Sequence, residues 1–187
     1  MANQTQRPDT ALHNTSHLMQ YHDLIESIVA AMDARDAYTA KHSDRVADMV
    51  LVLATALDLS EDETTLLHMA AHLHDIGKIA VPDSVLRKAG PLTNPEWEEM
   101  RRHPVTGYEI LRKVDDFKEI AVLVRHHHER WDGRGYPDGL RGADIPLGSR
   151  ILAVADSIDA MMSSRSYRPA MTSAACRREI ERNSGIM

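Results

Sequence analysis

The chain has 187 residues, with 22 Lys+Arg against 28 Asp+Glu and a formal charge of −6. Apolar residues make up 43%, near the globular norm of about 45–50%, so the chain suits roughly one domain with its own core. The acidic balance and an aromatic content of 4% argue against a protein that binds long nucleic acid by charge or base stacking. A small anionic ligand needs only local positive charge.

Residues 1–16 are polar and aperiodic and read as a disordered tail; the domain takes 17–187. The first helix, about 18–33, carries Leu18, Tyr21, Leu24, Ile25, Ile28, Val29 and Met32 on one stripe. The second, about 38–58, repeats Val46, Met49, Val50, Leu53, Ala54 and Leu57. Its run Met49–Leu57 is the longest nearly apolar one, far short of the about 20 residues of a membrane span. Nor has the N-terminus the apolar centre of a signal peptide. Ser60 with Glu63 forms a capping box for a third helix, which runs to Leu73 and reaches His74-Asp75-Ile76-Gly77-Lys78. Pro82 is expected to stop regular structure.

Asn94 before Pro95 marks another start, and Pro104 divides a helix near 95–102 from one near 104–113. Asp116 is placed to cap a helix ending at His126-His127-His128. Trp131 to Gly148 holds five of the nine glycines; a loop that long is usually functional. Helices return at 150–163 and 173–183. With no convincing alternation anywhere, the fold reads as all-α, a bundle of about seven helices. The single cysteine, Cys176, excludes an internal disulfide or thiolate cage and fits a reducing, bacterial-type cytoplasm.

Eleven histidines are far above ordinary usage. His74 and Asp75 are adjacent, so on a helix they point about 100° apart and can serve two metals with the carboxylate between them. Lys78 lies one turn on, on the His74 face. His42, His103, His127 and His128 sit at helix ends or breaks, and Asp156 interrupts the apolar stripe Ile151, Leu152, Val154, Ala155, Ile158. A carboxylate there is costly unless paired or metal-bound. Singly, each histidine reads as a packed or surface residue. Together the seven groups, without cysteine, fit a two-metal site of nitrogen and oxygen ligands. Arg165 and Arg168 follow the Asp156 helix and suit phosphate, although a lone helix-end arginine more often serves the dipole.

These residues resemble the HD-GYP family. The resemblance rests on His42-Ser-Asp-Arg45-Val46, His74-Asp75-Ile-Gly77-Lys78, His103, and His127-His128-Glu129 through Trp131, Gly135-Tyr136-Pro137 and Leu140. It continues through Ile145-Pro146, Asp156, Asp159 and Arg165-Ser-Tyr167-Arg168, and covers about residues 22–185. It implies an HD-type helical domain with a GYP loop and a metal-dependent phosphodiesterase that opens cyclic di-GMP to the linear dinucleotide, in some members on to GMP. It implies two divalent ions, commonly iron or manganese. His42, His74, Asp75 and Asp156 fall on one and His103, His127 and His128 on the other, with Asp75 bridging. Lys78, Tyr136, Arg165 and Arg168 match positions around the substrate phosphate. Asp36 and Asp159, near ligand positions, are candidates for passing a proton to the leaving group. Another cyclic dinucleotide, such as cyclic GMP-AMP, and a non-catalytic binding module are the alternatives. A homodimer is compatible with the resemblance.

Two departures carry expectations. Some relatives place a Glu four residues before the first ligand histidine, where it helps hold a third metal; here Tyr38 stands there, so two metals are expected. Relatives also run on past Asn183-Ser-Gly185, whereas this sequence stops at Met187; it reads as truncated, and a weaker fold and no upstream regulatory domain are expected. Trp97 and Trp131 read as packing residues beside the site, the methionines as core filler, and Glu96, Glu98 and Glu99 as a solvated first turn. His13, His17, His22, His68 and His72 are assigned no role; His72 faces about 200° away from His74.

Overall fold

The computed structural model describes residues 18, 20–35, 41–164 and 169–186. Among them all regular structure is helical, as expected: α1 (His22–Arg35), α2 (His42–Ala56), α3 (Glu61–Leu73), α4 (Asp83–Leu86), α5 (Asn94–Met100), α6 (His103–Leu111), α7 (Lys118–Arg125), α8 (Leu147–Met162) and α9 (Ser173–Arg182), with 3-10 turns at Ile76–Ala80, Asp115–Phe117 and Gly142–Asp144. Pro82 does not stop regular structure: it is the N-cap of α4, a single turn too short to show a period. Asp36, Tyr38, Arg165 and Arg168 lie outside the described residues, as do His13 and His17.

Local chemistry explains where the helices begin. Ser60 Oγ accepts from the Glu63 backbone N–H while Glu63 Oε2 accepts from that of Ser60, closing the expected capping box at α3. At α5 the cap is Thr93 rather than Asn94. Glu96 Oε2 takes the Thr93 backbone N–H at 2.7 Å and the Lys88 ammonium at 2.5 Å, so Glu96 is engaged rather than merely solvated. Asp116 does not cap α7, whose N-cap is Phe117 with no side-chain bond. Phe117 is buried edge-on to Tyr21, and the Tyr21 hydroxyl donates to Asp116.

α2 packs on α3 and α8, while α7 packs on α3, α6 and α8. Their shared faces form one core from Val46 and Val50, Leu67 and Leu73, Ile120 and Val124, and Leu152. α1 lies against α3 through Ile25 and Val29, while Leu24 and Ile28 of the expected stripe face outward. Trp97 and Trp131 are also more exposed than expected, at 45% and 38%, each with an arginine over its ring. Met69 and Met161 are core; Met162 is exposed.

Gly77 fixes how the 3-10 turn meets α6. A Cβ there would stand 1.9 Å from the His103 carbonyl oxygen and 2.6 Å from the Gly107 nitrogen. Only a residue without a side chain lets the His74-Asp75 segment come this close to His103.

Candidate metal centre

All but one of the sequence-predicted ligands come from helix ends. His42 opens α2, His74 closes α3, Asp75 follows it, and His103 opens α6. His127 and His128 follow α7, and Asp156 lies within α8. His74, His103 and His127 are almost wholly buried, at 1%, 2% and 0% exposure.

Each of these three imidazoles is held from behind. Nδ1 of His74 donates to the Ala71 carbonyl at 2.7 Å, that of His103 to Met100 at 2.8 Å, and that of His127 to Val124 at 2.6 Å. Since a carbonyl can only accept, these bonds put the proton on Nδ1 and leave the Nε2 lone pair facing inward. Nε2 of His103 and Nε2 of His127 then face each other at 3.4 Å. Two lone pairs at that distance repel unless a cation lies between them, and 3.4 Å is about the edge of a tetrahedron with metal–nitrogen bonds of about 2.1 Å.

Asp75 stands between the groups. Its Oδ2 is 3.5 Å from His74 Nε2 and 3.9 Å from His42 Nε2, while its Oδ1 is 3.5 Å from His103 Nε2. One oxygen thus faces each side. Asp156 Oδ1 is 3.3 Å from His42 Nε2. His42, His74 and Asp75 form one cluster able to hold a metal, and His103, His127 and His128 a second. The donor set of imidazoles and carboxylates suits divalent transition ions.

Burial and charge set the protonation states. Burial alone would lower His42, but its bonds to Asp156 and Asp159 and the charge on Asp75 outweigh it, holding it at about 9. His103 is pushed down to about 3 and His128 to about 4, chiefly by burial, and His127 is also depressed. Burial opposes ionisation of Asp75, yet Lys78 and the neighbouring imidazoles keep its carboxyl well below the usual range. Asp156 is likewise lowered against burial, by His42 and the nearby imidazoles.

Of the substrate candidates, Lys78 Nζ lies 2.5 Å from Asp75 Oδ2, and the Tyr136 ring packs on His128 with centroids 4.9 Å apart. Asp159 has both oxygens engaged: Oδ2 with His42 Nδ1 at 2.6 Å and Oδ1 with Arg45 Nε at 2.5 Å. Asp36, Arg165 and Arg168 are not among the described residues.

The structure adds residues that the sequence reading did not single out. Buried Glu129 accepts the backbone N–H groups of Asp138 and Gly139 at 2.7 and 3.0 Å, and Asp138 is held by Arg125 and His126. A Cβ on Gly135 would meet the Glu129 Cα at 2.5 Å, so the loop lies flat on this anchor. Arg101 lies over the rings of both Trp97 and Tyr136. Away from the centre, His22, His68 and His72 converge; the four-residue spacing of the last two was the available signal.

The family model described as HD domain matches residues 22–185. The chain is 46% identical over 152 residues to the "Cyclic di-GMP phosphodiesterase response regulator RpfG" of Xanthomonas campestris pv. campestris, covering 80% of this chain and 40% of that protein. It is 41% identical over 168 residues to "3'3'-cGAMP-specific phosphodiesterase 2" of Vibrio cholerae, covering 87% and 32%. It therefore spans well under half the length of these curated relatives. Among solved structures, the V. cholerae cyclic GMP-AMP phosphodiesterase V-cGAP3 superposes with a TM-score of 0.67 at 21% identity, over 87% of this chain and 44% of that one, a likeness of fold.

Proposed function

The chain belongs to the HD domain family, and from that premise we propose that it hydrolyses cyclic di-GMP to the linear dinucleotide, with continuation to GMP open to the same site. The observation that carries this reading is Asp75, with one oxygen toward the His42–His74 group and the other toward His103. His42, His74, Asp75 and Asp156 would hold one divalent ion and His103, His127 and His128 the other, with Asp75 shared. Iron or manganese fits these donors. When bound, the ions supply activation of water and neutralisation of charge at phosphorus.

The protein groups do the rest. The attacking oxygen comes from water, the bond between phosphorus and O3′ breaks, and the departing oxygen takes a proton. Lys78, fixed on Asp75, offers its ammonium to a phosphate oxygen. Tyr136 walls the His128 side, and Glu129 keeps its loop in place. Arg165 and Arg168 are proposed for the second phosphate, which a mononucleotide lacks. With both oxygens occupied, Asp159 is better suited to orient His42 than to pass a proton. Asp36 is then the proposed donor to O3′, since an arginine there does not deprotonate.

The proposed cyclic-dinucleotide substrate supports a cytoplasmic location. No helix among the described residues is long and apolar enough to cross a membrane. A second reading, cyclic GMP-AMP as substrate, is favoured by the name of the V. cholerae relative at 41% identity. The test is anaerobic hydrolysis of both dinucleotides by the purified chain with iron or manganese. His74→Ala/Asp75→Ala is the control. Turnover of cyclic di-GMP that vanishes in the control is expected. Turnover of cyclic GMP-AMP alone would transfer the reading to that substrate. No turnover by a folded, metal-loaded chain would leave a binding module.

A further inference from the structure

The histidine cluster between α1 and α3 has the form of a separate site. His68 and His72 lie one turn apart on α3, and His22 opens α1. One ring nitrogen from each of the three lies within 4.8 Å of the other two. Nε2 of His68 and Nε2 of His72 are 3.3 Å apart, with their rings edge to face. That separation repeats the 3.4 Å between His103 and His127 in the main centre and again matches a tetrahedral edge. The face is distinct, since His72 lies about 200° around the helix from His74.

The ring nitrogens behind the pair support this assignment. Nδ1 of His68 and Nδ1 of His72 are buried with no partner at close hydrogen-bond range, and His72 is only 6% exposed. A hydrogen bond between the two rings engages only their Nε2 atoms. If instead both Nε2 atoms ligate, both Nδ1 atoms carry protons. Asp44 Oδ1 waits 3.7 Å from that of His72, and the Ala47 backbone lies beside His68. On α1, Glu26 Oε1 is 3.6 Å from His22 Nδ1 but lies outside the three-histidine group, so a fourth position falls to water or to a turned Glu26 side chain.

We propose that His22, His68 and His72 form an additional site for a zinc-type divalent ion, completed by Glu26 or water. Three imidazoles with a carboxylate or water are a zinc donor set. The ion staples α1 to α3, a contact otherwise carried mainly by Ile25 and Val29. The far end of α1 has consequences for the main centre: Arg35 donates to the carbonyls of Lys78, Ile79 and Val81 and pairs with Asp83. Fixing α1 therefore steadies the turn that carries Lys78. The site does not depend on which dinucleotide the main centre takes.

The test uses the full chain, stripped with chelator, dialysed against buffered zinc and assayed for metal content. The wild type is expected to hold one zinc equivalent more than His22→Ala, whose ring is partly exposed, and more than His68→Gln/His72→Gln. His74→Ala/Asp75→Ala should keep the equivalent that His22→Ala removes. In the unmutated chain, zinc should shift the His68 and His72 ring nitrogen resonances, a readout that survives misfolding of any variant. Equal zinc content in wild type and folded His22→Ala, or His68 and His72 resonances unmoved by saturating zinc, overturns the proposal.

Discussion

His42 and His103 stand on opposite sides of Asp75, and their protonation differs by about six pH units, near 9 for one and near 3 for the other. Both are buried, so burial pushes both down; the difference lies in their neighbours. His42 meets Asp156 and Asp159 and lies under the charge of Asp75. His103 has a backbone carbonyl behind it and other imidazoles and Lys78 around it, with Asp75 alone as a charged carboxylate raising it. One half of the centre therefore holds a cation even without metal, while the other presents neutral lone pairs. The lesson is that similar ligands can be prepared in opposite ways: His42 must lose a proton to ligate, and His103 has none to lose at Nε2.

The largest expected effect breaks the comparison by separating the halves. Gly77→Ala puts a methyl into the His103 carbonyl, and α6 cannot yield as a flexible side chain would. Overpacking of this kind costs about 1–3 kcal/mol or more. For a chain of this size that lowers the melting temperature by roughly 2–4 °C per kcal/mol. Gly90→Ala, which meets nothing within 4 Å, is the matched control and should melt with the wild type. Equal melting of the two variants would mean that the close approach does not hold the centre together.

A smaller effect sharpens the comparison. Asp159→Asn removes the charge behind His42 and leaves the His103 half untouched. Loss of such an orienting partner typically costs about 10–100-fold in metal affinity or activity. Under limiting manganese, the variant should drop from two bound ions to one, measured by metal analysis after dialysis. Retention of both at wild-type affinity would show that Asp156 and Asp75 suffice to hold His42.

The smallest effect per step is a pH dependence of opposite sign in the two halves, read for each pH unit in the metal-free chain by urea unfolding. His42 is raised from 6.5 to about 9 on folding. Its contribution is whole below pH 6.5 and is lost as pH rises through 9. His103 is lowered from 6.5 to about 3, so the folded state resists its protonation. Its contribution is whole above pH 6.5 and is lost as pH falls toward 3. Each amounts to about 1.4 kcal/mol per pH unit within its window. Stability should peak near pH 6.5, and His42→Gln should flatten the alkaline side only. A wild-type curve that is flat from pH 6.5 to 9 would contradict the Asp156–His42–Asp159 arrangement.

Much of the fold was legible in one dimension because helices write their buried face at a fixed period. The stripes of α2, α3 and α8, the capping box at Ser60 and the break at Pro104 depend on residues a few positions apart. Boundaries that rest on distant partners were not legible. Asp116 looks like a cap, yet it receives the Tyr21 hydroxyl 95 residues away while buried Phe117 sets the start of α7. Glu96 looks solvated, yet it closes the turn at Thr93 and pairs with Lys88.

The all-helical class and the seven candidate nitrogen and oxygen donors could be read in one dimension, because residue type and spacing are local properties. Tertiary structure alone decided that one oxygen of Asp75 faces each group, that Asp159 stands behind His42, and that His22 meets His68 and His72. Each of these joins residues from different helices, and the packing of the helices, with Gly77 permitting the closest approach, sets their distances.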